Sequence, residues 1–220
     1  MISLTLHTAV AATVLSSLAA NVAGAQLAPR CVENSPERRG EVGCSIVARK
    51  ALPDSLREPL YWHLDRFDSR ERARLAVGPA SVLFEAAGTA WLMTVGSATS
   101  DHRGGHHVAE LGPLRLPPAA KYSMQALSAL FTPGMYTIVH HHSGVEVIYV
   151  IDGEGCFETP RQGIRVRGGD TLSIPAGTLH RAAALGSSPR HVLGAIIHDA
   201  TLAPTVPMEQ GMAEQLVACS

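Results

Sequence analysis

Charge of either sign is scarce in this chain. Of 220 residues, 18 are Lys or Arg and 19 are Asp or Glu, a formal net charge of −1. Nucleic acid and anionic membranes are recognised through clustered cations, so this composition gives neither partner a footprint. Aromatic residues are also few: four Phe, four Tyr and two Trp stand against eleven His. That balance points to metal or proton chemistry. The four cysteines include no Cys-x-x-Cys pair, which argues against a thiolate zinc site. No internal repeat is present, and no helical crossovers separate the strand-like segments, which argues against a parallel α/β sheet. What remains is ample apolar mass, 46% of residues, for one hydrophobic core.

The one long apolar run lies at the start. "HTAVAATVLSSLAA" precedes "AGA" at Ala23–Ala25, a small-x-small cleavage pattern. The run is too short and too weakly hydrophobic for a membrane span. It predicts a signal peptide over residues 1–25, although its first residues carry no Lys or Arg and only His7 beside the amino terminus. Export implies a periplasmic or secreted protein with no membrane attachment after cleavage. Pro29 and Arg30 precede Cys31 where a lipidation site wants small residues, so Cys31 is not read as one. In an oxidising compartment cysteines pair. Cys31 and Cys44 bracket "VENSPERRGEVG", a polar segment with no core of its own, and a disulfide closing that loop is worth about 3 kcal/mol in the chain-entropy model. Nothing local pairs Cys156 with Cys219, and their state stays open.

Residues 26–79 read as an irregular N-terminal arm with one short helix at "DSRERARLA", capped by Asp68 or Ser69. From about residue 80 to 200, short β-rich segments alternate with "AAG", "FTPG", "DGEG", "RGGD" and "LGSSPR". Many short strands with Gly and Pro punctuation predict an all-β fold, an antiparallel sandwich or barrel. Residues 201–220 form a tail with one or two helical turns in "MEQGMAEQLVACS".

Within the β region, "YTIVHHHSGVEVIYV" concentrates imidazole in an apolar strand. Side chains alternate faces along a strand, so His140 and His142 share one face and His141 points to the other. Glu146 follows the "SGV" bend on the next strand. In "DTLSIPAGTLHRAAAL" a strand, a tight turn and a returning strand deliver His180. Three neutral imidazoles and one carboxylate buried together are costly unless satisfied, and one divalent ion satisfies all four. The same parity places Tyr136 on the His140 face and Ile148 on the Glu146 face, both read as core lining the interior. "SDHRGGHHVAE" gathers His102, His106, His107 and Glu110 without that alternation; it reads as a solvated loop, with a second metal site or a lid as the alternatives.

The two histidine segments carry a family resemblance. Gly134, His140, His142, Glu146 and Gly153 stand at the spacing G-x5-H-x-H-x3-E-x6-G, and Gly169, Pro175, Gly177 and His180 at G-x5-P-x-G-x2-H. This resembles the two-part motif of the cupin superfamily over roughly residues 120–198. The usual terminal Asn is replaced by Ala184, a position that is not a metal ligand in that family. The resemblance implies a small antiparallel β-barrel, a double-stranded β-helix, in which His140, His142, Glu146 and His180 bind one divalent ion. Such barrels often pair through sheet edges, which implies a homodimer as one way to cover exposed strands.

A ligand set of three His and one Glu suits Fe, Mn, Ni, Cu or Zn, and affinity order does not choose among them. Four protein ligands on an octahedral ion leave two positions for a small-molecule substrate or dioxygen, with Glu146 as the candidate catalytic base. The leading reading, by resemblance to quercetinase-type proteins, is a dioxygenase of a metal-chelating substrate. A non-redox lyase or isomerase and a non-enzymatic exported metal- or ligand-binding module are the alternatives, because the fold is common to all three.

Overall fold

A computed structural model of the chain describes residues 27–28, 31–33, 40–99, 104–208 and 211–219. The signal-peptide expectation, residues 1–25, and His102 lie outside them. In chain order the elements are β1 (Leu27–Ala28), β2 (Val32–Glu33), β3 (Gly43–Ala51), β4 (Tyr61–Phe67), α1 (Arg70–Ala76), β5 (Ser81–Ala86), β6 (Thr89–Gly96), β7 (His106–Leu111) and β8 (Tyr122–Phe131). There follow β9 (Tyr136–Thr137), β10 (His140–His142), β11 (Val145–Asp152), β12 (Glu154–Glu158), β13 (Gly163–Arg167), β14 (Thr171–Ile174), β15 (Arg181–Leu185), β16 (Arg190–Asp199) and β17 (Thr205–Pro207).

All the strands but β10 and β17, which pair with each other, stack in three layers. The middle layer is a six-stranded sheet ordered β14-β11-β16-β8-β3-β2. A five-stranded sheet, β1-β9-β15-β12-β13, faces one side of it, and a four-stranded sheet, β5-β6-β4-β7, covers the other. Period-2 alternation explains how one sheet serves two cores. On β11, Val145 and Val147 join Trp62, Leu64, Trp91 and Met93 on one side, while Ile148 and Val150 join Phe131, Phe157 and Val166 on the other. On β16, Leu193, Ala195 and Ile197 face the first core and Val192 and Ile196 the second. The expected barrel is thus realised as a β-sandwich of two facing sheets, all-β as read from the sequence.

The arm and the tail differ from the sequence reading. The stretch taken as an irregular arm contains β3, paired with β8 from Gly43↔Leu130 to Ala51↔Ser123, and β4, an inner strand of the four-stranded sheet. Burial decides this: Trp62 and Leu64 are wholly covered, and the polar His63 and Asp65 on the opposite face are buried as well, which hides the strand in sequence. The helix is as read, with the Ser69 side chain accepting from the Arg72 N–H. The tail contributes β17, which pairs with β10, and a short 3-10 turn at Met212–Gln215.

Both cysteine pairs are disulfides: Cys31–Cys44 as expected, and Cys156–Cys219, which the sequence left open. The second ties the tail to β12, beside the bridge between Thr159 and Val217. No helix of the described residues is long and apolar enough to cross a membrane.

Candidate metal centre

The strand β10 is only three residues long, but its register is fixed on both sides. His140, His141 and His142 pair with Pro207, Val206 and Thr205 of β17. His140 also exchanges both backbone hydrogen bonds with His180, at 3.0 and 2.9 Å. The alternation holds: His140 and His142 are buried and line the interior cavity, while His141 is half-buried and lies off it. The "SGV" bend works because position 144 has no Cβ. Any side chain there would strike the carbonyl oxygen of Ile197 on β16. This close approach sets Glu146 opposite Ile196 and turns it inward.

Each imidazole is held by its Nδ1. That of His140 donates to the Ile138 carbonyl at 2.7 Å, and that of His180 donates to the Thr178 carbonyl at 2.9 Å. The His142 Nδ1 donates to the Pro204 carbonyl at 3.1 Å, with the Thr205 Oγ1 at the same distance. A carbonyl only accepts, so each Nδ1 carries a proton, and each ring in its neutral form presents its lone pair at Nε2. One ring nitrogen from each of His140, His142 and His180 lies within 4.8 Å of the others. Glu146 Oε2 stands 3.2 Å from the His180 Nε2 and 3.5 Å from the His142 Nε2. By hydrogen-bond geometry the buried Nε2 of His142 and Oε2 of Glu146 have no partner. Orphaned buried acceptors around one point are what a cation would satisfy, so this donor set fits a divalent ion.

The electrostatics agree for His140 and Glu146, while the same carboxylate draws His180 toward its protonated form when no cation is bound. Burial, aided by neighbouring His180 and His142, lowers the His140 pKa to about 3, so its ring is neutral at physiological pH. Burial opposes ionisation of Glu146, but the adjoining His142 and His180 outweigh it and hold the carboxyl well below the usual range. Burial likewise opposes protonation of His180, but its contact with Glu146 prevails and raises it.

Behind the four residues lies a cavity of about 230 Å³ walled by Leu127, Phe131, Ile148, Phe157, Val192 and Ile196. Ile148 is therefore interior core, as parity predicts. Tyr136 is not: the chain breaks pairing at Ile138 and Val139, which resets the parity, and the Tyr136 ring instead lies 4.9 Å under the Arg181 guanidinium. Thr137 and Ile138 line the wall in its place.

The "GGHHVAEL" segment is corrected from loop to strand, β7. Its His107 meets the buried Asp65 at 3.1 Å, and its Glu110 lies 3.4 Å from the buried His63. Two buried polar groups on β4 thus account for His107 and Glu110, and one ligand atom from each of His63, His107 and Glu110 lies within 4.8 Å of the others, so the second-metal-site alternative stands; no described residue of the segment lines the cavity. Sequence reasoning also missed the polar wall residues Arg49, Gln125, Thr205 and Arg190. Parity could have found two of them: Gln125 shares a face of β8 with Leu127 and Phe131, and Arg190 shares one of β16 with Val192 and Ile196. Arg190 is 1% exposed, and burial lowers its pKa to about 10, leaving it charged.

Comparison with known proteins bears on the same segment. Residues 128–195 match the family model described as "Cupin domain". An uncharacterised protein of Methanocaldococcus jannaschii is 30% identical over 79 residues, which are 35% of this chain and 63% of that protein. The match thus spans less than two thirds of the relative. Among solved structures, a cupin-like protein from Thermotoga maritima is 22% identical with a TM-score of 0.38, covering 42% of this chain and 69% of its own. A DMSP lyase from Ruegeria pomeroyi is 23% identical with a TM-score of 0.35, covering 39% and 43%.

Proposed function

We propose that this protein, whose residues 128–195 match the cupin-domain model, binds one divalent metal ion through His140, His142, Glu146 and His180 and acts on a small molecule in the cavity behind them. The observation that carries this reading is orientation. Three backbone carbonyls take the Nδ1 protons, and three Nε2 lone pairs converge beside an ionised carboxylate. Hydrogen bonding alone does not explain the arrangement, because the His142 Nε2 and Glu146 Oε2 are left without partners.

When bound, such an ion supplies Lewis acidity and open positions for oxygen ligands, and Fe, Mn, Ni or Cu would add redox chemistry with dioxygen. The chain's own residues supply the rest. Ile138, Pro204 and Thr178 fix the ring tautomers through their carbonyls. The apolar wall excludes water from the bound molecule. Among the described lining residues Glu146 is the only carboxylate and hence the natural proton acceptor. The reaction we favour is dioxygen-dependent cleavage of a metal-chelating substrate. A zinc-loaded centre would restrict the same site to lyase or isomerase chemistry. Two disulfides suit an oxidising compartment, and we place the mature protein in the periplasm or outside the cell.

Elemental analysis of the purified protein, followed by oxygen uptake with a panel of chelating substrates, tests the reading. One ion per chain with dioxygen consumption is expected. A protein that takes up no divalent ion would sink the centre. Turnover without dioxygen uptake would move the assignment to a lyase or isomerase. Ligand binding without turnover would leave a binding module.

A further inference from the structure

Among the described residues the cavity wall holds two guanidinium groups, Arg49 and Arg190, and they differ in a way that matters. Arg49 is matched: it pairs with Glu33 and donates to the Gln125 Oε1 at 3.0 Å. Arg190 is not. It lies inside the sandwich, 1% exposed, with its guanidinium 5.0 Å from the Phe131 ring centroid and 5.5 Å from that of Phe157. Its Nη1 donates to the Ala183 carbonyl at 3.2 Å, and its buried Nε has no partner. Among the described residues no carboxylate forms an ion pair with it.

The fold makes room for this cation. At Gly155 of β12, an added Cβ would stand 2.6 Å from both the Cδ and the Nη1 of Arg190. Two aromatic faces hold the guanidinium plane by cation–π contact, but they do not neutralise it. Burying an unpaired charge is expensive, and an anion that enters the cavity removes that cost. The imbalance extends to the metal centre. Among the described residues of the wall Glu146 is the only acid, and a divalent ion beside it would leave this lining net positive before Arg190 is counted.

We propose that Arg190 is an anion-binding residue of this cavity, receiving a carboxylate of the same small molecule whose other end meets His140, His142, Glu146 and His180. The substrate class is then a short organic diacid, or an acid with a chelating oxygen at its far end. The second contact rests on the metal reading given above; the first does not. The planar fork of Arg190 suits a carboxylate better than a neutral carbonyl, because each charge-assisted hydrogen bond is stronger and the acid alone cancels the buried charge.

Calorimetric titration of the mature chain with malonate, succinate, glutarate and adipate, each beside its neutral diamide, tests this. It is done on zinc-loaded protein, with butyrate and butyramide added on the metal-free form. At least one diacid should bind roughly tenfold or more tightly than its diamide, and Arg190→Gln should lose a similar factor. Zinc content should stay unchanged in Arg190→Gln, and Arg190→Lys should keep part of the affinity. On metal-free protein, butyrate should outbind butyramide, and Arg190→Gln should abolish the difference. Should Arg190→Gln fail to fold, as judged by its melting curve, the acid-against-amide comparison on the unmodified chain still decides. Acids no better than amides, or diacid affinity unchanged in folded Arg190→Gln, would overturn the proposal. The metal reading fails separately, through absence of zinc from the unmodified chain, and the butyrate comparison survives that failure.

Discussion

At the scale of single residues, the informative contrast is between His141 and its two neighbours. All three are imidazoles within one three-residue strand, yet only His140 and His142 reach the cavity. His142→Ala should lose most of the bound metal, and His141→Ala should retain nearly all of it, as read by elemental analysis. Equal loss in both would show that the strand register is wrong. The protonation states offer a second test in metal-free protein. His140 is lowered to about 3 chiefly by burial, so below pH 6.5 the unfolded chain takes up a proton that the folded chain refuses. Its contribution to stability is therefore intact above 6.5 and falls away between 6.5 and about 3. His180 is raised by Glu146, so its contribution is present below 6.5 and is lost as pH climbs through its raised value. Ring-nitrogen NMR should show His180 titrating above 6.5 while His140 stays neutral at about pH 5, within the window its shift defines.

At the scale of elements, the site depends on how closely β11 and β16 meet at the bend. Gly144 allows that approach, and Gly144→Ala would drive a methyl group into the Ile197 carbonyl. Overpacking of this kind costs about 1–3 kcal/mol, and here it also shifts Glu146, two residues on. Chemical denaturation should show the loss of stability, and metal affinity should fall with it; an unchanged midpoint and unchanged metal content would refute the close approach. The short β17 has a similar role from the far end of the chain. It carries Pro204 and Thr205 to the His142 Nδ1, so a tail that looked peripheral orients a candidate ligand.

For the molecule as a whole, the middle sheet is the organising layer. It is apolar on both faces, and two cores, one of them containing the candidate site, form against it. The disulfides fasten the periphery: Cys31–Cys44 closes a loop of sequence separation 13 beside the cavity, and Cys156–Cys219 spans a separation of 63 and anchors the tail. Non-reducing peptide maps should show both links, and opening the shorter loop should cost about 3 kcal/mol in the chain-entropy model. Mass spectrometry of protein from its native host should find an amino terminus at Gln26, which leaves β1 on the mature chain; an intact Met1 would refute export.

Local pattern was enough to specify the all-β class, the capped helix, the burial of His140 and His142 on one side of β10, and the Cys31–Cys44 bridge. Each rests on a spacing of a few residues that the backbone period or a short loop converts directly into geometry. Glu146 and His180 were legible too, because tight turns of fixed chemistry follow or precede them. Non-local pairing decided the rest. Whether "YWHLD" is an arm or a strand depends on β6 and β7 covering it, and His107 and Glu110 are explained only by Asp65 and His63 across that sheet. The charge of Arg190 is visible in the sequence; that it is buried between Phe131 and Phe157, with no described carboxylate in ion-pair contact, follows from strands β8, β12 and β16 meeting around one cavity. Periodicity gives the face of a strand, but the partner that face meets is set by the packing of sheets far apart in sequence.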